Sequence, residues 1–421
     1  MHAQWLGVSI CSLAALVPFL AGCGSEGGVG GPIKAVRGDR LTLYSSLPKQ
    51  GPNTEQAVAI ENGIRLALRQ AHDTAGGYRI DYISLDDSTA RAGRWEPDQT
   101  SSNARRAADD RSTIAYIGDF DPRASAISIP TLNQAGIPQV SPSNTAVGLT
   151  SRDPGAEPGE PVKYYPAGRR TFARVIPRDT VQASALVAAM EREGCASVGS
   201  LHENETSSAG LARSIVRFAR RQNLPVSRDE AVDPEAPTDG PVVSALRGAG
   251  APCVVYAGSS IRPAVRLLSD VHAALPDARL FASDGLADAA FADPRRGGIS
   301  PRVARKVLVT RPTLPAEAYG SEGEPFFASY RSAYGERTPD PYAIYGYESA
   351  RLLMDAIRRA GPRGNDRRAV LDAVRSTTDR RSVLGRYGID RRGDTTLRVY
   401  GVFKVSKGAL VFDHTVTAPR E

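Results

Sequence analysis

The chain has 421 residues, 41% of them hydrophobic and only 6% aromatic, with 53 Lys and Arg against 46 Asp and Glu for a formal charge of +7. That length is too great for one ordinary hydrophobic core and suits two lobes. Nearly all the cationic side chains are Arg, scattered with acids between them, which argues against a nucleic-acid-binding stripe and leaves at most a weak attraction to anionic lipid headgroups.

The first element is an uncharged apolar run, Leu6 to Ala21, that closes on Leu20-Ala21-Gly22-Cys23. It is short for a membrane span, and the Gly-rich stretch from Gly24 to Gly31 follows it where a stop-transfer segment would be basic. The run looks like a bacterial lipoprotein signal, cleaved before Cys23, which would carry diacyl chains at the new N-terminus and anchor the chain stably. No Lys or Arg precedes Leu6, a departure from such signals. Residues 1–22 are therefore expected to be a signal peptide. Residues 23–39 are expected to be a lipid-anchored flexible tether on the extracytoplasmic face of the cell membrane.

From Leu41 onward strand-like and helix-like runs alternate. Strands are expected at 41–45, 79–85, 113–117 and 137–140, and helices at 54–71, 100–109 and 125–135. The first helix shows its buried face as Ile60, Ile64, Ala67, Leu68 and Ala71, with Glu61, Arg65 and Arg69 elsewhere. This βαβ rhythm implies an α/β fold, a parallel sheet with right-handed crossovers and helices on both faces. After the Pro/Gly-rich stretch 153–168, which reads as an insertion, the rhythm resumes. Strands at 172–176, 197–202, 253–257 and 279–282, with helices at 181–193, 209–222 and 263–274, make a second doubly wound lobe. A strand at 306–310 precedes helices at 325–334, 342–360 and 368–376, and a hairpin of 396–405 with 409–412 ends the pattern.

Of the four cysteines, Cys11 leaves with the signal and Cys23 takes the lipid, which leaves Cys195 and Cys253. Both lie just before β-branched runs, at the N-terminal ends of expected parallel strands. Adjacent strands would bring them within bridging distance in an oxidising compartment, and two buried free thiols are the alternative.

Several ordered pieces carry a family resemblance: Gly51-Pro52 followed by Asn62-Gly63, Asp86-Asp87-Ser88, Ile117-Gly118, Ala135-Gly136-Ile137-Pro138 leading to Val140-Ser141-Pro142, His202, Gly210-Leu211-Ala212-Arg213, Asp284-Gly285 and Asp340-Pro341-Tyr342. From about Leu41 to Phe412 the chain resembles the leucine/isoleucine/valine-binding branch of the type I periplasmic binding proteins, which serve ABC importers. The resemblance implies two Rossmann-like lobes joined by three crossovers, here near Ile176, Val309 and Leu397, with ligand held between them. Lobe 1 would then comprise 40–176 and 309–396, and lobe 2 residues 177–308 and 397–421.

In doubly wound sheets the carboxyl ends of strands meet helix N-termini, where free N–H groups attract an anion. By the resemblance, Thr145 aligns with a hydroxyl donor to a ligand carboxylate, Ser143 with a backbone contact to it, and Asp284 with the carboxylate that holds a ligand ammonium. Ser, Asn and Thr after a strand are also ordinary turn formers, and Asp-Gly is a common turn. Asp179 aligns with an acidic residue but reads as a helix cap. Departures from the family pattern accompany these matches. Pro122 replaces a hydroxyl residue, and Arg123 or Ser125 would have to substitute for it. Ser207 and Ser259 stand where aromatic walls are found, and Tyr345 or Tyr347 would supply the missing ring.

The expected function is that of a lipid-tethered, monomeric solute-binding protein, closing on an amino acid or similar small polar molecule and presenting it to ABC permease and ATPase subunits. A surface receptor that signals to a membrane partner is the alternative, since both need ligand-driven lobe closure. No enzymatic activity and no cofactor are expected. Gly-x-Ser-x-Gly and His-Glu-x-x-His are absent, no nucleotide-binding glycine loop joins an expected strand to a helix, and the five histidines are dispersed. Asp86-Asp87, without further ligands, reads as a strand-end cap and not as a metal site.

Overall fold

Two sheets organise the chain in the computed structural model, which describes residues 35–336 and 338–420. The expected signal peptide, Cys23 and most of the tether lie outside the described residues. Among those described, no helix is long and apolar enough to cross a membrane.

The first sheet has the order Thr74–Ala75, Tyr78–Asp86, Arg40–Leu47, Thr113–Gly118, Gln139–Ser141, Phe172–Arg174. All its pairings are parallel except that of the short edge strand Thr74–Ala75. Arg40–Leu47 and Thr113–Gly118 are buried almost end to end, as central strands covered on both faces must be. The helix Thr54–Gln70 turns Ile60, Ile64, Ala67 and Leu68 inward, the face its periodicity predicts. It crosses the helix Ala343–Arg359 closely because Gly63 and Gly346 carry no side chain. A Cβ on Gly63 would lie 2.1 Å from the Ala343 carbonyl oxygen, and one on Gly346 would lie 2.2 Å from that of Ile60.

The second sheet runs Val226–Val232, Val198–Glu203, Cys253–Ala257, Arg279–Ala282, Val307–Arg311, Val399–Ser406, Ala409–Thr417. Its first five strands are parallel and the C-terminal hairpin is antiparallel. The chain passes between sheets three times. It leaves the first after Phe172–Arg174 for the helix Asp179–Arg192 on the second. It returns after Val307–Arg311 to the helices Gly320–Tyr334 and Ala343–Arg359 on the first, and crosses finally into Val399–Ser406. The chain is thus an α/β protein with two doubly wound lobes and three crossovers.

The strand Val226–Val232 and the helix Gly240–Ala249 escape the sequence reading for a physical reason. The strand is a sheet edge whose sequence, Val-Ser-Arg-Asp-Glu-Ala-Val, is largely polar, and the helix buries only Leu246 completely. The stretch 153–168 is more than an insertion on the surface. Asp153 accepts from Arg178 at 2.9 Å and Arg392 at 2.8 Å, and Gly155 lies so close to Gly210 of the second-lobe helix Thr206–Arg221 that a Cβ on Gly210 would meet it at 2.0 Å. Cys195 and Cys253 are joined by a disulfide with Cα atoms 5.8 Å apart. Register explains the proximity, because Cys253 is opposite Val198, three residues beyond Cys195.

Candidate functional site

The carboxyl ends of strands from both sheets face one open cavity of about 190 Å³. Pro122, Thr145 and Ala146 line it from the first lobe. From the second come Ser207 and Ser208 after the strand Val198–Glu203, Gly258 and Ser259 after Cys253–Ala257, and Ser283, Asp284 and Gly285 after Arg279–Ala282. Asp179 and Gln182 at the start of their helix, with Glu205 and Leu211, complete the wall. This is the topological position at which open α/β sheets bind ligands.

Thr145, Ser207, Ser259 and Asp284 are therefore brought together, while Arg123, Ser125, Ser143 and Tyr345 do not line the cavity. The Arg123 guanidinium is exposed, held by both carboxylate oxygens of Asp121 and seated 5.3 Å from the Trp95 ring centre. Ser125 is fully buried, and its hydroxyl oxygen accepts from the Asp119 N–H at 3.0 Å and the Asn144 amide at 3.1 Å. The Ser143 hydroxyl donates to the Phe120 carbonyl at 3.1 Å. Tyr345 supplies no wall to the cavity. It is 2% exposed, belongs to the core of the first lobe, and donates its hydroxyl to the Pro312 carbonyl at 2.7 Å. Tyr347 likewise donates to Gln70, at 2.6 Å.

Electrostatically the cavity is acidic. Asp284 is pushed up to about 6, first by burial and then by the nearby Asp179 carboxylate, while a hydrogen bond from Gln182 and the Arg311 charge oppose the rise. Burial also raises Asp179, against a hydrogen bond from Thr145 and the charges of Arg174 and Arg178. Asp179 is the first residue of its helix, lines the cavity and is hydrogen-bonded to Thr145. Glu205, which the sequence reading passed over, accepts from the hydroxyls of Ser207 and Ser208 at 2.9 Å each. Its only signal was position, two residues beyond a strand end.

Behind the first-lobe wall lies a second acidic pair. Asp86 caps its strand by accepting from the N–H of Lys49 at 2.9 Å and that of Ser88 at 2.8 Å. Asp87 is 0% exposed, and burial, then the charges of Asp119, Asp86 and Asp121, lift it to about 8 despite the nearby Ser46 hydroxyl. No group of three or more metal-ligating side chains occurs among the described residues. The folded pKa of Asp87 exceeds its unfolded value, so its stabilising contribution is full below about pH 4 and is lost as pH rises through 8. Asp87→Asn should therefore change the melting temperature little at pH 5 and raise it by several degrees at pH 8.5. Equal shifts at both pH values, measured by differential scanning calorimetry, would contradict the assignment.

The profile of a family described as "Periplasmic binding protein" matches residues 46–409. A Leu/Ile/Val-binding protein homolog 1 from Brucella suis is 25% identical over 370 residues, covering 86% of this chain and 90% of its own. A leucine-binding protein from Thermotoga maritima superposes with TM-score 0.67 at 21% identity, over 90% of this chain and 99% of its own. An ABC-transporter solute-binding protein from Rhodopseudomonas palustris, crystallised with p-hydroxybenzoic acid, superposes with TM-score 0.69 at 13% identity, over 91% and 98%.

Proposed function

The chain belongs to the periplasmic binding protein family, and from that premise we propose that it is the solute receptor of an ABC importer, held at the extracytoplasmic face of the membrane by lipid on Cys23. Its lobes, 40–176 with 312–396 and 177–311 with 397–421, the second crossover falling after Arg311 and not at Val309, close on an amino acid or related small polar molecule and deliver it to the permease. The observation that carries this reading is the cavity between the strand ends of both sheets, with wall residues contributed by each lobe. The ligand groups named in the relatives, a branched-chain amino acid and an aromatic acid, bracket the size of molecule such a cavity holds.

The wall offers hydroxyls, carboxylates and an amide but neither a Lys nor an Arg nor a thiol, a set that recognises a solute by hydrogen bonds and charge. Asp284 is central to it, a half-buried carboxylate at the head of a strand end. Removing its charge leaves a bound ammonium without its counter-ion. Asp284→Asn is expected to weaken ligand binding by about 100-fold in isothermal titration calorimetry, since charge-assisted hydrogen bonds contribute about 1.5–3 kcal/mol. Affinity within threefold of the unaltered protein would rule out Asp284 as an anchor of the ligand.

A further inference from the structure

The cavity is lined by the three acids Asp179, Glu205 and Asp284 and by no Lys or Arg, although the whole chain carries a net positive charge. A ligand carboxylate would need vacant donors there, and several hydroxyls in reach are already in use. The hydroxyls of Ser207 and Ser208 donate to Glu205, Thr145 is bonded to Asp179, the Ser143 hydroxyl donates to the Phe120 carbonyl, and Ser125 is buried away from the cavity, its oxygen accepting from Asn144 and the Asp119 N–H.

Two of the helix N-termini around the cavity are likewise closed by the protein's own carboxylates. Asp121 accepts from the Arg123 N–H at 2.8 Å at the start of the helix Pro122–Gln134, where Pro122 has no N–H to offer. Glu203 accepts from the N–H groups of Ser259 and Ser260 at 3.1 and 2.8 Å, before the helix Ile261–Ala274. Glu205 holds the hydroxyls of Ser207 and Ser208 in the first turn of Thr206–Arg221. The nearby guanidinium groups are held elsewhere, Arg123 by Asp121 and Trp95, Arg174 by Asp394 and Arg178 by Asp153, while Arg311 lies 5.4 Å over the Phe403 ring. The charged side chains that line the open space are all acidic.

We propose that the ligand of this cleft is a small organic cation, an amine or guanidine compound without a free carboxylate, drawn in by Asp179, Glu205 and Asp284. This rests on the solute-receptor reading and narrows its ligand class. A cleft lined by one sign of charge concentrates ligands of the opposite sign and rejects like charge, the more so where water is excluded. The carboxylate of a free amino acid would meet three acids and neither a Lys nor an Arg. Converting that carboxylate to an amide removes the repulsion and keeps the ammonium.

The experiment is calorimetric titration of the full chain at pH 7.5 with L-leucine, L-leucinamide, 1,4-diaminobutane, agmatine and benzoate, with acetamide as a neutral probe. The expected result is binding of one or more of the three carboxylate-free cations at least about 50-fold tighter than leucine or benzoate, weakening as salt is raised. Tighter binding of leucine, benzoate or acetamide overturns the cation assignment and leaves the receptor reading standing. No heat from any probe overturns both. As a second measurement, the double variant Asp179→Asn with Glu205→Gln, checked for native circular dichroism, should bring the preference for cation over leucine to within about fivefold. An unchanged preference overturns the role given to these acids.

Discussion

Arg174→Met is expected to destabilise the protein by about 3–5 kcal/mol, the cost of removing one partner from a buried ion pair. Arg174 is 0% exposed, with Nε 2.8 Å from an Asp394 oxygen. Its other nitrogens donate to the carbonyls of Asn144 and Ala146, both at 2.9 Å, and to the Thr150 hydroxyl at 2.6 Å. Methionine fills much of the volume but leaves the Asp394 carboxylate and two carbonyls in a dry interior without their cation. Asp394 keeps Thr150 at 2.8 Å and a more distant Arg178 at 3.6 Å, which soften the loss without cancelling it. Because the two carbonyls flank Thr145, the variant should also weaken ligand binding by about tenfold. Denaturant unfolding provides the measurement. A loss under 1 kcal/mol would mean that Asp394 and its neighbours relax to water, and that Arg174 does not organise the first crossover.

Replacing Cys195 and Cys253 together by alanine, or reducing the disulfide, is expected to cost about 4 kcal/mol of stability on the chain-entropy account of a crosslink between positions separated by 58 residues. Ligand affinity should not change. The bridge ties the amino end of Cys253–Ala257 to the turn before Val198–Glu203, whereas the cavity begins at Gly258 and Ser259, beyond the carboxyl end of the same strand. A five-residue strand separates the two by roughly 17 Å. Equilibrium unfolding of oxidised and reduced protein, followed by titration of each, checks both halves. Equal stability would show that the reduced unfolded chain is already restricted, and a parallel loss of affinity would show that the strand transmits strain along its length.

The two kinds of site residue differ in how much their local sequence reveals. Ser143 and Thr145 lie two residues apart in one turn, and the resemblance gives Thr145 a hydroxyl contact and Ser143 a backbone contact to a ligand, yet only Thr145 reaches the cavity, while the Ser143 N–H donates to the Ser141 hydroxyl and its own hydroxyl to the Phe120 carbonyl. Ser125 reads as a replacement for the hydroxyl that Pro122 lacks, but its own helix buries it against Asp119 and Asn144. Tyr345 sits on a helix whose inner face packs on the first sheet, so its ring goes to the core and its hydroxyl to Pro312. In the other direction, Glu205 and Gln182 carry no motif. One lies just beyond a strand end and the other in the first turn of a crossover helix, and they face each other's space only because the two sheets point their carboxyl ends at a common gap.

Most of the alternating strands and helices and the buried face of the first helix are properties of the sequence alone. Each follows from periodicity and β-branched runs that act within one or two neighbouring strands. The pairing of residues far apart in the chain was decided only by tertiary structure. That level put Asp179, Glu205 and Asp284 around one cavity, spent the hydroxyls of Ser125 and Ser143 inside the first lobe, and laid Gly155 against Gly210. The physical reason is that a hydrogen-bonding group takes whichever partner the packed chain brings nearest. A local pattern names the donors and acceptors, and the fold determines which of them remain for a ligand.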